Sequence, residues 1–143
     1  MTWAGSYRAT PTVQNFTSAS TSFAVTKASG VVAGDLILLY CAGAGVAYSC
    51  PGFAAYASAS PSGMYGQILA RTADGTEGST FTVTASNSQV AAIGQVVIAG
   101  PCSIDVVGAS AGSTGSANPT ATGLTVAGSN ELLIWFGSAI NSG

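Results

Sequence analysis

The sequence predicts an all-β fold, an antiparallel β-sandwich of the jelly-roll type with about 8–10 strands. Short runs rich in Val, Ile, Thr, Phe and Tyr follow one another along the 143 residues, separated by clusters of Gly, Ser, Asn, Asp and Pro. Several runs alternate between apolar and polar residues, as in Phe23–Thr26 and Phe81–Thr84, which is typical of half-buried strands. No window of about 11 residues carries the apolar stripe of an amphipathic helix.

The segments that meet these criteria are, in chain order, Val13–Thr17, Ser22–Lys27, Asp35–Ala42, Gly52–Ala57, Met64–Thr72, Thr80–Ala85, Gln89–Ala99, Ile104–Gly108, Thr122–Val126 and Glu131–Gly137. We expect Asp35–Ala42 and Glu131–Gly137 to be central strands, because each contains a run that is apolar on both faces. A carboxylate opens each of these two segments. Asp35 and Glu131 are expected to bond to backbone amides of the preceding turn or to blunt the strand end.

The domain organisation is expected to be simple. Residues 1–20 are predicted to be an N-terminal arm with the first strand, and residues 21–143 a single β-sandwich domain. The low-complexity stretch Ala109–Ala121 is predicted to be a surface crossover rather than a linker, because too few residues follow it for a second domain. The last predicted strand ends close to the C-terminus, and a central strand needs neighbours. This pattern indicates a chain truncated within a larger protein.

A low charge raises the question of a membrane segment. The uncharged stretch Leu36–Ala70 contains an apolar core, Leu36–Ala42, of only seven residues, whereas a spanning helix needs about 20. The N-terminus lacks the basic region followed by an apolar region that marks a signal peptide. We therefore expect a protein that folds in a cytosol and does not contact a membrane.

The composition excludes several classes of function. Charged residues make up 6% of the chain, with 3 Lys+Arg, 5 Asp+Glu and no His, against roughly 25% in an ordinary soluble domain. So few cations cannot form the positive surface that nucleic-acid binding requires. Without His, and with few carboxylates, the usual residues of metal sites and acid–base catalysis are missing. We expect no enzyme activity, no catalytic residue, no cofactor and no metal.

The remaining reactive side chains have structural interpretations. Cys41, Cys50 and Cys102 form an odd set without a secretion signal, which predicts buried free thiols rather than disulfides. Asp74 and Glu77 are the closest pair of carboxylates, in a Gly-rich stretch predicted to be a tight hairpin turn. A solvated turn is the preferred interpretation of this pair, and a calcium site or a catalytic pair is the alternative.

Two groups of aromatic residues are candidates for surface contacts. Trp3 and Tyr7 lie in a short segment that would fray in a lone monomer. We expect this segment to dock on a neighbouring subunit or on a larger particle. The second group lies in a region rich in Gly, Ser and Pro, and packing in the core or in a subunit interface is favoured over a glycan-binding surface. Its members are Tyr48, Phe53, Tyr56 and Tyr65.

A set of short motifs follows in a fixed order between about residue 21 and residue 138: Val25–Lys27, Gly34–Leu38, Pro51–Phe53, Ala70–Gly78, Thr80–Val83, Val96–Gly100, Ser103–Val106 and Asn130–Ile134. Their order and spacing resemble a β-sandwich module of tailed-bacteriophage virion structural proteins, which occurs in capsid decoration, head-fibre and tail-fibre proteins. Two departures stand out. Phe53 stands where that family often has Trp after Pro-Gly, and such modules usually continue well beyond the last motif.

The resemblance implies a non-enzymatic virion structural protein, either a capsid decoration (cement) protein or a head-fibre protein on the particle exterior, assembled in the host cytoplasm. The implied partners are copies of the chain itself, as a homotrimer, and the major capsid protein or other virion proteins. Neither nucleic acid nor a membrane is expected as a partner. The alternative is a tail-fibre or receptor-binding module that recognises a host surface glycan.

Overall fold

The computed structural model describes residues 6–60 and 63–105, together with the single positions 132, 134 and 136. This part of the chain contains six β-strands and no helix, and every strand pair is antiparallel. The strands are β1 (Thr12–Thr26), β2 (Leu36–Ala44), β3 (Tyr48–Ser49), β4 (Ala54–Ala59), β5 (Met64–Thr72) and β6 (Thr80–Ile98). The predicted all-β antiparallel class is confirmed, whereas the two-sheet sandwich or jelly-roll arrangement stays a prediction. None of the described residues belongs to a helix that could cross a membrane.

The strands form one sheet in the order β1-β6-β2-β5-β4, with β3 paired to β6. Because β2 lies between β5 and β6, the loop of residues 73–79 crosses the end of β2 and does not close a hairpin. The hairpin predicted for this loop is therefore wrong. The Asp74-Gly75 dipeptide correctly predicted a residue with positive φ, since Gly75 has a φ of 85°. Such a turn does not, however, require the strands on either side of it to pair with each other.

Two strands are longer than predicted. Segments expected to be separate strands are joined in β1 and again in β6. The residues between them form irregularities in the β1–β6 ladder, where the register shifts between Phe16 and Ser20 and again between Ser20 and Ser22. The expected division at residue 20 falls inside β1. Strand β3 was not predicted. The predicted strand Thr122–Val126 lies outside the described residues, and so do most positions of Ile104–Gly108 and of Glu131–Gly137. The expectation for Glu131 lies outside them as well.

The irregularities bend the β1–β6 ladder back on itself. Bulges increase the local bend and twist of a strand pair. As a result, Gln14 near the start of β1 meets Thr26 at its end: Gln14 Nε2 donates to Thr26 O at 3.4 Å, and Thr26 N donates to Gln14 Oε1 at 3.3 Å. One apolar cluster joins the two halves, since it contains Phe23 and Val83 from one half and Ile93 from the other. Leu39 of β2, which pairs with β6, belongs to the same cluster.

The opposite face of β2 is also covered. Leu36, Leu38 and their sheet neighbours form a second apolar cluster, and the side chains that pack on it are Cys102, Ile104, Ile134 and Phe136. The ring of Phe136 stacks on Tyr40, with centroids 5.4 Å apart. The prediction that the apolar run of β2 is a central strand covered on both sides is confirmed, and burial of this kind is the main force that holds such a strand.

Candidate functional site

Asp35 places a buried carboxylate at the start of β2, where its side chain is 1% exposed. A turn precedes it: Asp35 N donates to Val32 O at 3.2 Å, and Gly34 adopts a φ of 91°, which glycine reaches without steric cost. The carboxylate accepts from Val32 N and from Gly100 N, each at 3.0 Å. The prediction that Asp35 bonds to backbone amides of the turn is confirmed.

Arg8 completes the coordination of this carboxylate. Its Nε donates to Asp35 Oδ2 and its Nη2 to Asp35 Oδ1, both at 2.9 Å. These bonds are the main cause that lowers the pKa of Asp35 to about 2. A buried carboxylate without partners is unfavourable, and two amides with a guanidinium satisfy it here. The Arg8–Asp35 pair therefore stabilises the charged form and links the N-terminal arm to β2.

Backbone bonds hold the arm beside the same pair. Tyr7 forms an antiparallel bridge with Ile98, Arg8 N donates to Val97 O at 2.8 Å, and Ala99 N donates to Ser6 O at 2.9 Å. The described part of the arm thus docks on the end of β6 in its own chain. The Tyr7 side chain stays 53% exposed, so its contact with a neighbouring subunit stays a prediction, and Trp3 lies outside the described residues.

An open groove with a volume of about 810 Å³ runs between residues 7–12 and the pair Ala28 and Ser29. Arg8 is the charged side chain in its wall, and its guanidinium is already bound to Asp35. The groove therefore presents no uncompensated charge that would hold an ionic ligand.

The predicted carboxylate pair belongs to a second charge cluster. Arg71 Nη2 lies 2.9 Å from Asp74 Oδ2 and 3.1 Å from Glu77 Oε1. The Glu77 carboxylate accepts from the backbone N–H groups of Asp74 at 2.7 Å and Gly75 at 3.1 Å. Asp74 is 57% exposed, but the Glu77 side chain is only 1% exposed. The expected solvated turn is thus wrong for Glu77, because this carboxylate holds the loop from inside.

The pKa of Asp74 is lowered, chiefly by the side-chain hydrogen bond from Thr76. Within the described ranges, no group of three or more Cys, Asp or Glu side chains lies close enough to hold a metal ion. The carboxylates at both clusters are bonded to an arginine and to backbone amides, which is an arrangement that fixes loops.

The fold does not place the four candidate aromatic residues on one surface, although it brings the rings of Tyr48 and Tyr65 together. Tyr48 is 3% exposed and lies in the core, with its ring 6.5 Å from those of Phe23 and Tyr65. A surface role for Tyr48 is therefore wrong, since β3 directs its side chain inward, and the preferred interpretation of core packing is confirmed for this residue.

The other three members lie in different surroundings. Phe53 packs edge-on against Phe81 at 5.1 Å, and the Arg71 guanidinium lies 5.8 Å from the centre of the Phe53 ring. Tyr65 is partly buried against the core. Only Tyr56 in this group is largely open to solvent, at 44% exposure.

Three glutamines that were not predicted as site residues are buried: Gln67, Gln89 and Gln95. Gln95 joins the two halves of the bent sheet: its Oε1 accepts from Ala28 N at 2.6 Å and its Nε2 donates to Thr26 O at 3.3 Å. Gln67 Oε1 accepts from Tyr48 N at 2.7 Å and thereby attaches β3 to β5. The sequence could have predicted these bonds, because an amide side chain at an inward position of an otherwise apolar run indicates a hydrogen-bonded polar group in the core.

Gln89 differs from the other two glutamines. Neither polar atom of its amide has a hydrogen-bond partner among the described residues, and the same holds for the Tyr48 hydroxyl. Both groups lie beside Gly43, where an added Cβ would meet the Tyr48 hydroxyl and, at 2.9 Å, Gln89 Oε1. Glycine at this position leaves room for the Tyr48 hydroxyl against β2.

The cysteines are free thiols. Burial raises the pKa of Cys41 to about 12 and that of Cys50 to about 11. Both thiols therefore stay protonated at neutral pH and are poor nucleophiles. The prediction of buried free thiols is confirmed for these two residues, whereas Cys102 is free but partly exposed.

Comparisons with known proteins give no relatives for this chain: no protein-family model matches the sequence, and no curated protein or solved structure is similar to it.

Proposed function

We propose that this chain is a non-enzymatic structural protein of a tailed-bacteriophage particle, a capsid decoration or head-fibre protein on the particle exterior. It works by packing against copies of itself and against other virion proteins. The proposal that the protein is not an enzyme is supported by one observation. Both buried carboxylates, Asp35 and Glu77, accept hydrogen bonds from backbone N–H groups and so hold loops in place. The phage assignment rests on the ordered motifs that resemble virion modules.

The two carboxylates support a structural role through their partners. Asp35 accepts four hydrogen bonds from Arg8, Val32 and Gly100, and Glu77 is held by Arg71 with two backbone amides. Asp35 makes a poor general acid or base, because its bonds lower its pKa to about 2 and proton uptake would break them. The same bonds occupy the oxygens that a metal would need.

The exposed surface supports assembly as the function. Apolar side chains stand out from it, including Val13 at 67%, Val90 at 51% and Val32 at 49% exposure. Single exposed apolar residues are ordinary on any protein. Here, however, only 6% of the chain is charged, so little electrostatic repulsion separates one copy from the next. Weak repulsion between copies would favour the proposed homotrimer.

Glycan recognition by a tail fibre is the less favoured function. It would require an open aromatic platform for sugar rings, and the fold divides the four candidate aromatics between core and surface. Tyr56 is the one that remains largely exposed, at 44%. A single exposed tyrosine offers little stacking area.

The test is the location and copy number of the protein in phage particles. Particles purified from producing cells are digested for quantitative mass spectrometry and imaged by cryo-electron microscopy. The proposal predicts many copies at regular positions on the head and weaker particles when the gene is deleted. A few copies at the tail end, with glycan binding, would establish the tail-fibre function instead. Absence from purified particles would overturn the proposal.

A further inference from the structure

Strand β1 lies at the outside of the sheet and pairs only with β6 among the described residues. Its 15 residues contain no charged residue, no proline and no glycine. An exposed strand edge presents unpaired N–H and C=O groups, and natural proteins protect such edges with charges, prolines, bulges or covering loops. In β1 the irregularity between Phe16 and Ser22 divides the edge into two segments that differ in how they are protected.

In the second segment, Ser20–Thr26, side chains close the outward backbone groups of Ser22 and Thr26, and we call it the capped segment. Among the described residues, no side chain closes the outward groups of Ala24 between them. Lys27 N donates to Ser79 O, so the alternation of an antiparallel ladder directs the backbone groups of Ser22, Ala24 and Thr26 away from β6. Ser20 Oγ donates to Ser22 O at 2.9 Å and accepts from Ser22 N at 3.0 Å. The Gln14 amide bonds to both backbone groups of Thr26.

The first segment, Thr12–Phe16, has no such closure, and we call it the open segment. It pairs with β6 in regular register from Gln95 to Ala91, so alternate residues direct N–H and C=O groups outward. No side chain in the described part of the chain bonds to these backbone groups. Val13, the second residue of this segment, is 67% exposed to solvent. The open segment therefore has both the backbone groups and the apolar side chain that a further strand would use.

We propose that the open segment pairs antiparallel with the open segment of a second copy, so that one sheet continues across two subunits. This inference rests on the self-assembly in the proposed function and adds the surface that mediates it. No charge lies between Ala9 and Thr26, so the strand meets its own copy without repulsion. A two-fold contact places the same residues on both sides, which is the commonest symmetry of oligomers. If this two-fold contact is the only one, it gives a dimer. If a threefold contact also forms the proposed homotrimer, the two-fold contact links neighbouring trimers.

A matched pair of substitutions tests the contact. Val13→Lys puts a charge into the open segment, and Ala24→Lys puts the same charge into the capped segment at another exposed position. Sedimentation velocity over a concentration series measures the dissociation constant of each variant. We expect Val13→Lys to raise it by about tenfold or more, and Ala24→Lys to leave it within about twofold of wild type. Equal effects, or a wild type that is monomeric at every concentration, would overturn the inference.

Hydrogen exchange on the unmodified protein provides a second measurement that does not depend on how the variants fold. Amides of the open segment should exchange more slowly as the concentration rises through the dissociation constant, while those of the capped segment should not change. Concentration-independent exchange of the open segment in an oligomeric sample would contradict pairing at this edge. In that case self-assembly itself would stand and only the surface would be wrong, whereas absence from phage particles would bear on the proposed function alone.

Discussion

Single polar side chains hold distant parts of this chain together. Arg8 and Asp35 are 27 positions apart, and the Gln95 side chain bonds to residues 67 and 69 positions away. Each of these groups exchanges its hydrogen bonds to water for bonds to several protein partners. It therefore links distant segments and leaves no buried polar atom of its own unpaired. At the scale of residues, a few polar side chains that bond to distant segments help to specify the structure of a largely apolar sheet.

The Asp35 carboxylate predicts how stability depends on pH. Its pKa in the folded protein, about 2, lies below the ordinary value of 3.8, so the unfolded chain binds more protons between these values. The stabilisation is therefore fully present above about pH 5 and is lost as the pH falls toward 2. Urea unfolding across this range should show Asp35→Asn less stable at neutral pH by about 2 kcal/mol, with a flatter profile than wild type.

The control for this experiment is Asp105→Asn, at an exposed carboxyl. It should retain the wild-type slope between pH 5 and about pH 2. An Asp35→Asn variant with the same acid dependence as wild type would show that the Arg8–Asp35 pair does not control this transition.

The buried glutamines give a second prediction, from a matched pair on the same strand. Gln95→Leu removes an amide with two backbone partners and leaves Ala28 N without its acceptor, so we expect a loss of about 1–3 kcal/mol. Gln89→Leu removes an amide whose polar atoms have no partner among the described residues, and it should be neutral or stabilising. Chemical denaturation of both variants measures the difference. Equal losses would contradict the role assigned to Gln95.

At the scale of elements, the packing of β3 on β2 depends on Gly43. An added Cβ would overlap the Tyr48 hydroxyl and approach Val90 O to 2.8 Å. We expect Gly43→Ala to lower the free energy of unfolding by about 1–3 kcal/mol. Because the hydroxyl is one of three obstacles, together with Val90 O and Gln89 Oε1, Tyr48→Phe should reduce this loss in part. A double-mutant cycle by urea denaturation measures the coupling, and additive losses would place the obstacle elsewhere.

Much of the element pattern followed from local sequence. Met64–Thr72 was predicted with the bounds that β5 has, because a short run containing Tyr, Ile, Leu and Thr lies between clear turn residues. The joined strands β1 and β6 were not predicted, since their small polar residues near positions 17–21 and 86–88 are typical of turns but form irregularities inside a bent ladder. The short strand β3 has too few residues to give a periodic signal.

Only those contacts of the site that join residues close together in the sequence could be predicted. Asp35 follows its turn directly, and its bonds to backbone amides were expected from that position. Its pairing with Arg8 was not, because the ion pair depends on how the arm docks on β6. Tyr48 was expected in a loop-rich region near Pro51 and Gly52, and its burial arises from pairing with the distant Ala85. Contacts that require the sheet order cannot be read from spacing.

At the scale of the whole molecule, scarcity of charge predicts an assembly that is insensitive to salt. With 6% charged residues and a net charge of −2, copies neither attract nor repel strongly through electrostatics. Raising the ionic strength from about 0.05 M to about 0.5 M should change the dissociation constant of self-association by less than about threefold. Sedimentation at both salt concentrations measures this. A steep weakening with salt would indicate that the few charges direct the contact.

The central claim is that this protein functions by associating with copies of itself. Sedimentation velocity of the purified wild-type chain, from low to high micromolar concentration, tests it most directly. The proposed function predicts an oligomer whose population grows with concentration. The contact inferred for β1 adds the expectation that Val13→Lys weakens this oligomer. A species that sediments as a monomer throughout the series would contradict it.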